Sequence, residues 1–325
     1  MKNLLIVTGG SGGHVIPSIS LFEHLKKKFK VEIVSDLRGS NYIDKQKYNY
    51  SIVDVPNLFS KPYLFPIKLL KYLNNIIKSL NFLKKNNISI IISTGGYMSL
   101  PFCIAAYLLK KKIFLFEPNS VLGRSNKLVL KFSDKIICYD TNLKNFPKKY
   151  DYKKVKIHPI LRSQIYTIKK NSKNYNKKNI KILVIGGSQG ASFFDNKISD
   201  LIVEISKLHK IEIIQQISND NTKLLIKEKY ENAKINFNFF KFTDKSDKIY
   251  QGVNLAISRG GAITLSELAY LNIPFIVIPL PSARDNHQFY NSEYYFQKKV
   301  CWIIDQKKLD INQISNLISN LFKND

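Results

Sequence analysis

The sequence predicts an α/β fold of two doubly wound parallel sheets, and three observations carry that expectation. Apolar runs of strand length recur along the chain, each followed by turn residues and then a segment of helical period. The first unit has an echo half a chain later. Leu-Leu-Ile-Val-Thr-Gly-Gly-Ser-Gly-Gly at 4–13 and Ile-Leu-Val-Ile-Gly-Gly-Ser-Gln-Gly-Ala at 182–191 both run an apolar strand into a Gly-Gly-Ser-x-Gly turn before a helix. Glycine is also skewed: of only 14 in 325 residues, eleven fall in four clusters, at 9–13, 95–96, 186–190 and 260–261. A residue that is rare overall and locally concentrated serves the backbone. Strands alternating with helices over so many units imply sheets covered on both faces, and the echo lets each half open its own Rossmann-like domain.

Taken in order, the first half offers strands at Leu4–Val7, Val31–Val34, Ser89–Ile92, Ile113–Phe116 and Lys135–Cys138. The second offers Ile182–Ile185, Ile211–Gln215, Asn236–Phe239, Leu255–Ile257 and Phe275–Ile278. Between them, residues 166–180 are polar and rich in Lys and Asn, which reads as a linker or exposed excursion. A boundary within 160–178 follows, with domains at 1–160 and 161–325. Two such domains facing across a cleft make the GT-B architecture of nucleotide-sugar glycosyltransferases, although two-domain dehydrogenases and sugar epimerases share the periodicity. A helix is expected over Ile67–Lys84, with Leu70, Leu73, Ile77 and Leu80 on its core face.

Composition narrows the classes. With 44% hydrophobic and 12% aromatic residues, general disorder is excluded. The net charge of +27 is almost all lysine, since only Arg38, Arg124, Arg162, Arg259 and Arg284 are arginine. Four of these five fall in or beside the loops expected to line the cleft, where bidentate phosphate recognition is a reason to resist the lysine bias. A nucleic-acid binder is disfavoured, because the lysines are diffuse and come without aromatic platforms or a basic helix. Cys103, Cys138 and Cys301 lie far apart with no CxxC, which argues against a zinc site or disulfide framework and suits a reducing compartment. The N-terminus reads as a strand and not a signal peptide. No apolar run approaches the roughly 20 residues of a spanning helix, so a soluble or peripheral protein is expected.

The glycine loops carry the chemistry. Thr8-Gly9-Gly10-Ser11-Gly12-Gly13-His14 leaves a strand and enters a helix, so its amides can meet a phosphate or sugar. It is neither GxxxxGK[ST] nor GxGxxG, which disfavours ATP hydrolysis and the usual dinucleotide site. A tight turn without ligand would share the pattern, and His14 could serve as a capping residue. Its place at the mouth of the loop favours a general base or a diphosphate contact. Gly186-Gly187-Ser188-Gln189-Gly190 repeats the device, and Ser258-Arg259-Gly260-Gly261-Ala262 again joins a strand to a helix carrying Glu267, a residue that on pattern alone could equally face solvent. Two diphosphate-capable turns favour a nucleotide in the second half. The polar loop Pro279–Gln288 follows a strand end, where ligands bind in open α/β sheets.

Five ordered motifs spanning nearly the whole chain closely resemble the family of undecaprenyldiphospho-muramoylpentapeptide β-N-acetylglucosaminyltransferases (MurG). They are Gly-Gly-Ser-Gly-Gly-His (9–14) with Pro17, Gly-Gly-Tyr-Met-Ser-x-Pro (95–101), Glu-x-Asn-x-x-x-Gly-x-x-Asn (117–126), Gly-Gly-Ser-Gln-Gly-Ala (186–191) and Ser-Arg-x-Gly-Ala-x-Thr-x-Ser-Glu (258–267). The resemblance implies a GT-B fold, transfer from UDP-N-acetylglucosamine to lipid I with inversion at the anomeric carbon, and no obligatory metal or other cofactor. On it, Ser188 would contact the donor diphosphate, Glu267 the ribose and Gln288 the sugar hydroxyls. Backbone around Phe242-Thr243 would read uracil, and Ala262, Ile263, Thr264, Leu265 and Ser266 would lie against the nucleotide. Ser11, Gly12, Gly13, His14 and Asn119 would line the acceptor side, and the base for the muramoyl 4-hydroxyl is expected to be His14 or a carboxylate that it orients.

The chain departs from the family's usual pattern in three places. Pro118 stands where Gln is common, and Ile157-His158-Pro159-Ile160-Leu161-Arg162 replaces Gly-Asn-Pro-Val-Arg, which displaces the donor-side Arg162 by one. The chain ends soon after the helix expected at Ile311–Phe322, so a return helix bracing the first domain is expected to be reduced. A polyprenyl acceptor implies a peripheral enzyme on the cytoplasmic face of the membrane, and the charge suits anionic inner-leaflet lipids. The expected contact is Tyr63-Leu64-Phe65-Pro66 flanked by Lys61, Lys68, Lys71 and Lys78. A GT-B transferase acting on a glycerolipid is the alternative reading.

Overall fold

A computed structural model of the chain describes residues 1–56, 65–171, 179–187, 193–217, 219–241 and 246–322. The chain forms two compact units, Met1–Arg162 and Ser163–Asp325. Among the described residues, the first is built on β1 (Asn3–Val7), β2 (Lys30–Ser35), β3 (Tyr50–Ile52), β4 (Ile88–Ser93), β5 (Lys112–Glu117), β6 (Lys135–Cys138) and β7 (Lys154–Lys156). They lie in the order β3-β2-β1-β4-β5-β6-β7, every pairing parallel. The second unit holds β8 (Ile180–Ile185), β9 (Ile211–Gln216), β10 (Asn236–Phe240), β11 (Leu255–Ser258), β12 (Phe275–Val277) and β13 (Cys301–Ile303). Their order is β10-β9-β8-β11-β12-β13, again parallel throughout. The expected fold class, two Rossmann-like parallel-sheet domains, is therefore present.

All ten expected strands occur, each within two residues of its expected limits. Their runs are near-continuously apolar because central parallel strands are covered on both faces, and Leu4, Leu5, Ile6 and Val7 are all almost wholly buried. The three strands without a sequence signal, β3, β7 and β13, have three residues each and sit at sheet edges. An edge strand is selected by the ladder beside it, so its own pattern says little.

The first core packs Leu5, Val7, Ile91 and Leu115 of the sheet against Leu83, Phe102 and Ala106 of the helices. The second joins Ile182, Val184, Ile213 and Ile257 to Phe194, Ile198 and Leu201, and the helix Ile311–Phe322 adds Ile314, Ile318 and Phe322 to it. The segment expected as a linker begins as part of the second unit. Ser163–Thr167 makes a short 3-10 turn with Ile165 buried, and Asn171 binds the carbonyls of Leu271 and Val253 through its N–H (2.9 Å) and Nδ2 (2.6 Å).

The helix Phe65–Lys85 corrects one expectation. Leu70, Leu73 and Ile77, expected in the core, are 68%, 48% and 56% exposed, and Leu80 alone of that set packs against the core. The buried stripe is Tyr72, Asn75, Ser79 and Leu83 instead. It includes two polar residues because each is satisfied there: Asn75 Nδ2 donates to Asp54 O (3.0 Å) and Ser79 Oγ to Asn75 O (2.8 Å). A helix with apolar residues on more than one face leaves its inner face to be chosen by such partners.

Candidate active site

In each sheet the strand order reverses once, between β1 and β4 in the first unit and between β8 and β11 in the second. Loops leaving such a pair diverge, opening a crevice at the strand carboxyl ends where α/β sheets bind ligands. The four glycine clusters follow these four strands.

In the first unit, Ser11 is the N-cap of the helix Gly12–Leu25, with its hydroxyl making no capping bond and no acidic residue in the first turn. The positive helix end is left unneutralised from within, as an anion or sugar oxygen site requires. His14, in the first turn and half-buried, has Nδ1 at 2.8 Å from Thr94 O, at the end of β4. A carbonyl only accepts, so Nδ1 carries the proton and Nε2 is the basic nitrogen. Thr94 is pinned in turn, its N–H to Val7 O (3.1 Å) and its Oγ1 to Thr8 Oγ1 (2.8 Å). Gly95 and Gly96 continue the chain at φ +96° and +86°, and a Cβ on Gly95 would press on the His14 ring at 3.1 Å.

Two carboxylates organise this end of the sheet. Asp36, directly after β2, accepts from Gly10 N (2.9 Å) and Gly39 N (2.7 Å), closing the glycine loop onto the neighbouring turn. Glu117, last residue of β5 and 3% exposed, accepts from Asn119 Nδ2 (2.9 Å), Gly123 N (2.8 Å) and Asn126 Nδ2 (3.1 Å). Asn119 is therefore held in direction by the carboxylate. An acid directly after a strand is a readable signal for Asp36, and Glu117 lay inside a recognised motif. The partners of either depend on loops far apart in sequence.

In the second unit, Gly187 N donates to Gln216 Oε1 (2.9 Å) at the end of β8, and Ser188 lies outside the described residues, as do Thr243 and the Tyr63–Leu64 tip. The helix Ala262–Tyr270 starts from Gly261 with no side-chain cap and no acid in its first turn, so Ala262, Ile263 and Thr264 present a second unneutralised helix end. Leu265 is buried, and Ser266 Oγ donates to Ala262 O (2.8 Å) and meets Tyr295 Oη (2.9 Å), so both face inward. Glu267 is fully buried and accepts from Tyr250 Oη at 2.9 Å. A carboxylate so held is fixed in direction, and Tyr250 is a partner that the sequence did not mark. Gln288 Oε1 accepts from Leu280 N (2.9 Å) and Gly260 N (3.3 Å), which leaves its Nε2 as the donor for a ligand oxygen. The two loops fit tightly, since any side chain at Gly260 would collide with the Gln288 carbonyl. Arg162, half-buried, ends the first unit, after Ile160, whose N–H donates to Tyr139 Oη at 3.1 Å.

Arg259 corrects the reading that arginines beside these loops bind phosphate. It is 5% exposed, donates to Ile278 O (2.9 Å) and lies over Phe194 at 4.7 Å, and burial pushes its guanidinium down to about 10. It braces the loop from inside, whereas Arg124 and Arg284 are exposed. Among the described residues, no cluster of three His, Cys, Asp or Glu could hold a metal ion, and no helix is long and apolar enough to cross a membrane.

Comparison with known proteins gives the family and the fold. Residues 4–138 match the glycosyltransferase family 28 N-terminal domain and 181–325 the family 28 C-terminal domain. The chain is 42% identical over 325 residues to the UDP-N-acetylglucosamine–N-acetylmuramyl-(pentapeptide) pyrophosphoryl-undecaprenol N-acetylglucosamine transferase of Pelagibacter ubique, covering 99% of this chain and 90% of that one. The protein of the same name from Rickettsia felis is 34% identical, with 100% and 92% covered. The crystal structure of Acinetobacter baumannii MurG shares the fold, with a TM-score of 0.74 at 22% identity over 99% of this chain and 91% of that one. The chain belongs to the MurG family of glycosyltransferase family 28.

Proposed function

We propose that the chain transfers N-acetylglucosamine from UDP-N-acetylglucosamine to the 4-hydroxyl of the muramoyl group of lipid I, giving lipid II for peptidoglycan synthesis. The observation that carries this reading is the end-to-end likeness to transferases named for that reaction, at 42% identity. The geometry supports the chemistry. His14 Nε2 takes the proton of the acceptor hydroxyl, whose oxygen attacks C1 of the sugar from the face opposite UDP. The C1–O bond to the diphosphate breaks with its electron pair leaving on UDP, so the configuration at C1 inverts. The unneutralised helix end at Ala262 stabilises the charge that gathers there. Gln288 Nε2 donates to a sugar hydroxyl, Glu267 faces the ribose, and Ser188 and the backbone at Thr243 complete the donor contacts. Ser11, Gly12, Gly13 and Asn119 hold the acceptor, and Arg162 lies at the donor's edge.

The same reading includes peripheral attachment to the cytoplasmic leaflet, where a polyprenyl acceptor resides. What supports it is the helix Phe65–Lys85, which exposes Ile67, Leu70, Leu73 and Ile77 at helical spacing beside Lys71 and Lys78. An apolar stripe with basic flanks suits the interface of an anionic bilayer, where each nearby lysine contributes about 1 kcal/mol.

The test is transfer of radiolabelled N-acetylglucosamine from the UDP-sugar to lipid I and, in parallel, to diacylglycerol. Label in the lipid I product alone is expected. Transfer to diacylglycerol alone would replace the acceptor with a glycerolipid.

A further inference from the structure

We propose that Glu117 is a positioning residue whose buried charge sets the polarity of a hydrogen-bonded relay reaching the carbonyl that orients His14. The relay can be followed bond by bond. Asn126, 1% exposed, donates through Nδ2 to Glu117 Oε2 (3.1 Å) and to Phe116 O (3.3 Å). Its Oδ1 therefore faces the other way and accepts from Ser93 Oγ at 3.4 Å. The Ser93 hydroxyl, which also meets the buried Cys103 thiol, accepts from Gly95 N at 3.2 Å. Gly95 is bonded to Thr94, whose carbonyl receives His14 Nδ1–H at 2.8 Å.

Every donor on Glu117 is an N–H group, the pattern of an ionised carboxylate. An amide side chain can be reversed end for end, and a hydroxyl can rotate, so Asn126 and Ser93 have no polarity of their own. The carboxylate supplies it. Because it only accepts, Asn126 points Nδ2 towards it and presents Oδ1 to the Ser93 hydroxyl, and the N–H of Gly95 finds a Ser93 lone pair. The other oxygen, Oε1, takes Nδ2 of Asn119 and so sets the direction of that amide as well. Glu117 thus governs two acceptor-side groups on separate loops without reaching either reacting atom. Buried and already loaded with donors, it is not placed to serve as the base.

This inference rests on the transferase reading for its kinetic arm and on spectroscopy for the rest. Glu117→Gln can offer an N–H where the relay needs an acceptor, while Ser93→Ala removes one link and leaves the bonds of Glu117 to Asn119 and Asn126 intact. The full-length enzyme carrying each change is assayed for kcat, for KM of donor and acceptor, and for the pH profile of kcat. Glu117→Gln is expected to lower kcat by about 10–100-fold and raise the acceptor KM, as losses of an outer supporting partner do, with the donor KM unmoved. Ser93→Ala is expected to lower kcat and leave the acceptor KM near wild type. In both, the acid limb of the kcat profile persists.

The His14 ring is read separately by 15N correlation spectra of histidine-labelled protein. The wild type should show the Nδ1–H tautomer, and both variants a mixture. Loss of the acid limb in Glu117→Gln would make the carboxylate itself the proton acceptor and overturn the proposal. So would wild-type turnover with an unchanged tautomer in Ser93→Ala, which decides the matter if Glu117→Gln does not fold. A wild-type chain that fails to transfer the sugar, with the tautomer shift still present in the variants, would retire the substrate reading and leave the relay standing.

Discussion

The imidazole of His14 and the backbone carbonyl of Thr94 meet at 2.8 Å across the junction of β1 and β4. The two residues are 80 positions apart, and their contact follows from the pairing of adjacent strands, since Thr94 N–H continues the ladder to Val7 O. The ring is oriented by the sheet itself and by a neutral group. That fixes the tautomer through a carbonyl and not through a carboxylate.

His14→Ala should therefore lower kcat by about 10²–10⁴-fold, the usual weight of a positioned base, with the donor KM close to wild type. Steady-state kinetics with each substrate varied in turn provide the check. A weaker donor KM at unchanged kcat would move His14 from proton transfer to diphosphate binding.

Gln288→Glu separates the two ends of that side chain. The substitution keeps an oxygen for the N–H groups of Leu280 and Gly260 but removes the amide N–H donors. The donor KM is expected to rise about tenfold, the value of one lost hydrogen bond of roughly 1.4 kcal/mol, while the unfolding midpoint stays near wild type. An unchanged donor KM would take Gln288 out of the sugar site.

Lys153 should matter for stability alone. It is 6% exposed, and its Nζ donates to the carbonyls of Leu130 (2.9 Å), Lys131 (3.2 Å) and Ser133 (2.5 Å), capping the turn after the helix Arg124–Val129. Burial holds the ammonium below the usual lysine range, with Asp134 opposing that shift. Lys153→Met leaves those carbonyls unpaired and should cost about 1–3 kcal/mol in urea unfolding. Specific activity of the folded fraction should not change.

The three thiols make an alkaline prediction. Burial pushes Cys103 and Cys301 up to about 12 and Cys138 up to about 11. Their unfolded values are about 8.5, so the unfolded chain loses these protons first and stability falls as pH rises from there towards the folded values. Native protein at pH 8 should leave all three unreactive to a thiol reagent that labels them in urea, and the urea midpoint should drop between pH 8 and 10. Rapid native labelling of any of the three would contradict the burial.

If the helix Phe65–Lys85 carries the proposed membrane contact, Leu70→Gln, Leu73→Gln and Ile77→Gln together should abolish sedimentation with anionic vesicles. All three side chains are exposed, so the thermal midpoint should hold. Vesicle binding that survives both this triple change and high salt would place the contact elsewhere.

Much of the site was legible because its loops announce themselves. Glycines after apolar strands marked all four strand ends at the two reversals of order, and those positions hold His14, Gly95, Gly187 and Gly260. What could not be read was which polar side chain satisfies which. Tyr250 on Glu267, Gln216 on Gly187 and Asp36 on Gly10 are all pairings between segments with no periodic relation. Each was selected by the need of a buried polar group for a partner once the strands had aligned.

By itself the sequence determined the two parallel-sheet domains, the family and the glycine loops at the strand ends. These depend on hydrophobic period and on backbone freedom, properties written locally in the chain. The tertiary structure alone decided which face of the helix Phe65–Lys85 is buried, that Arg259 is a brace inside the fold, and which nitrogen of His14 is basic. Each of those turns on a partner from a distant segment, and a side chain's role is set by the group that folding brings against it.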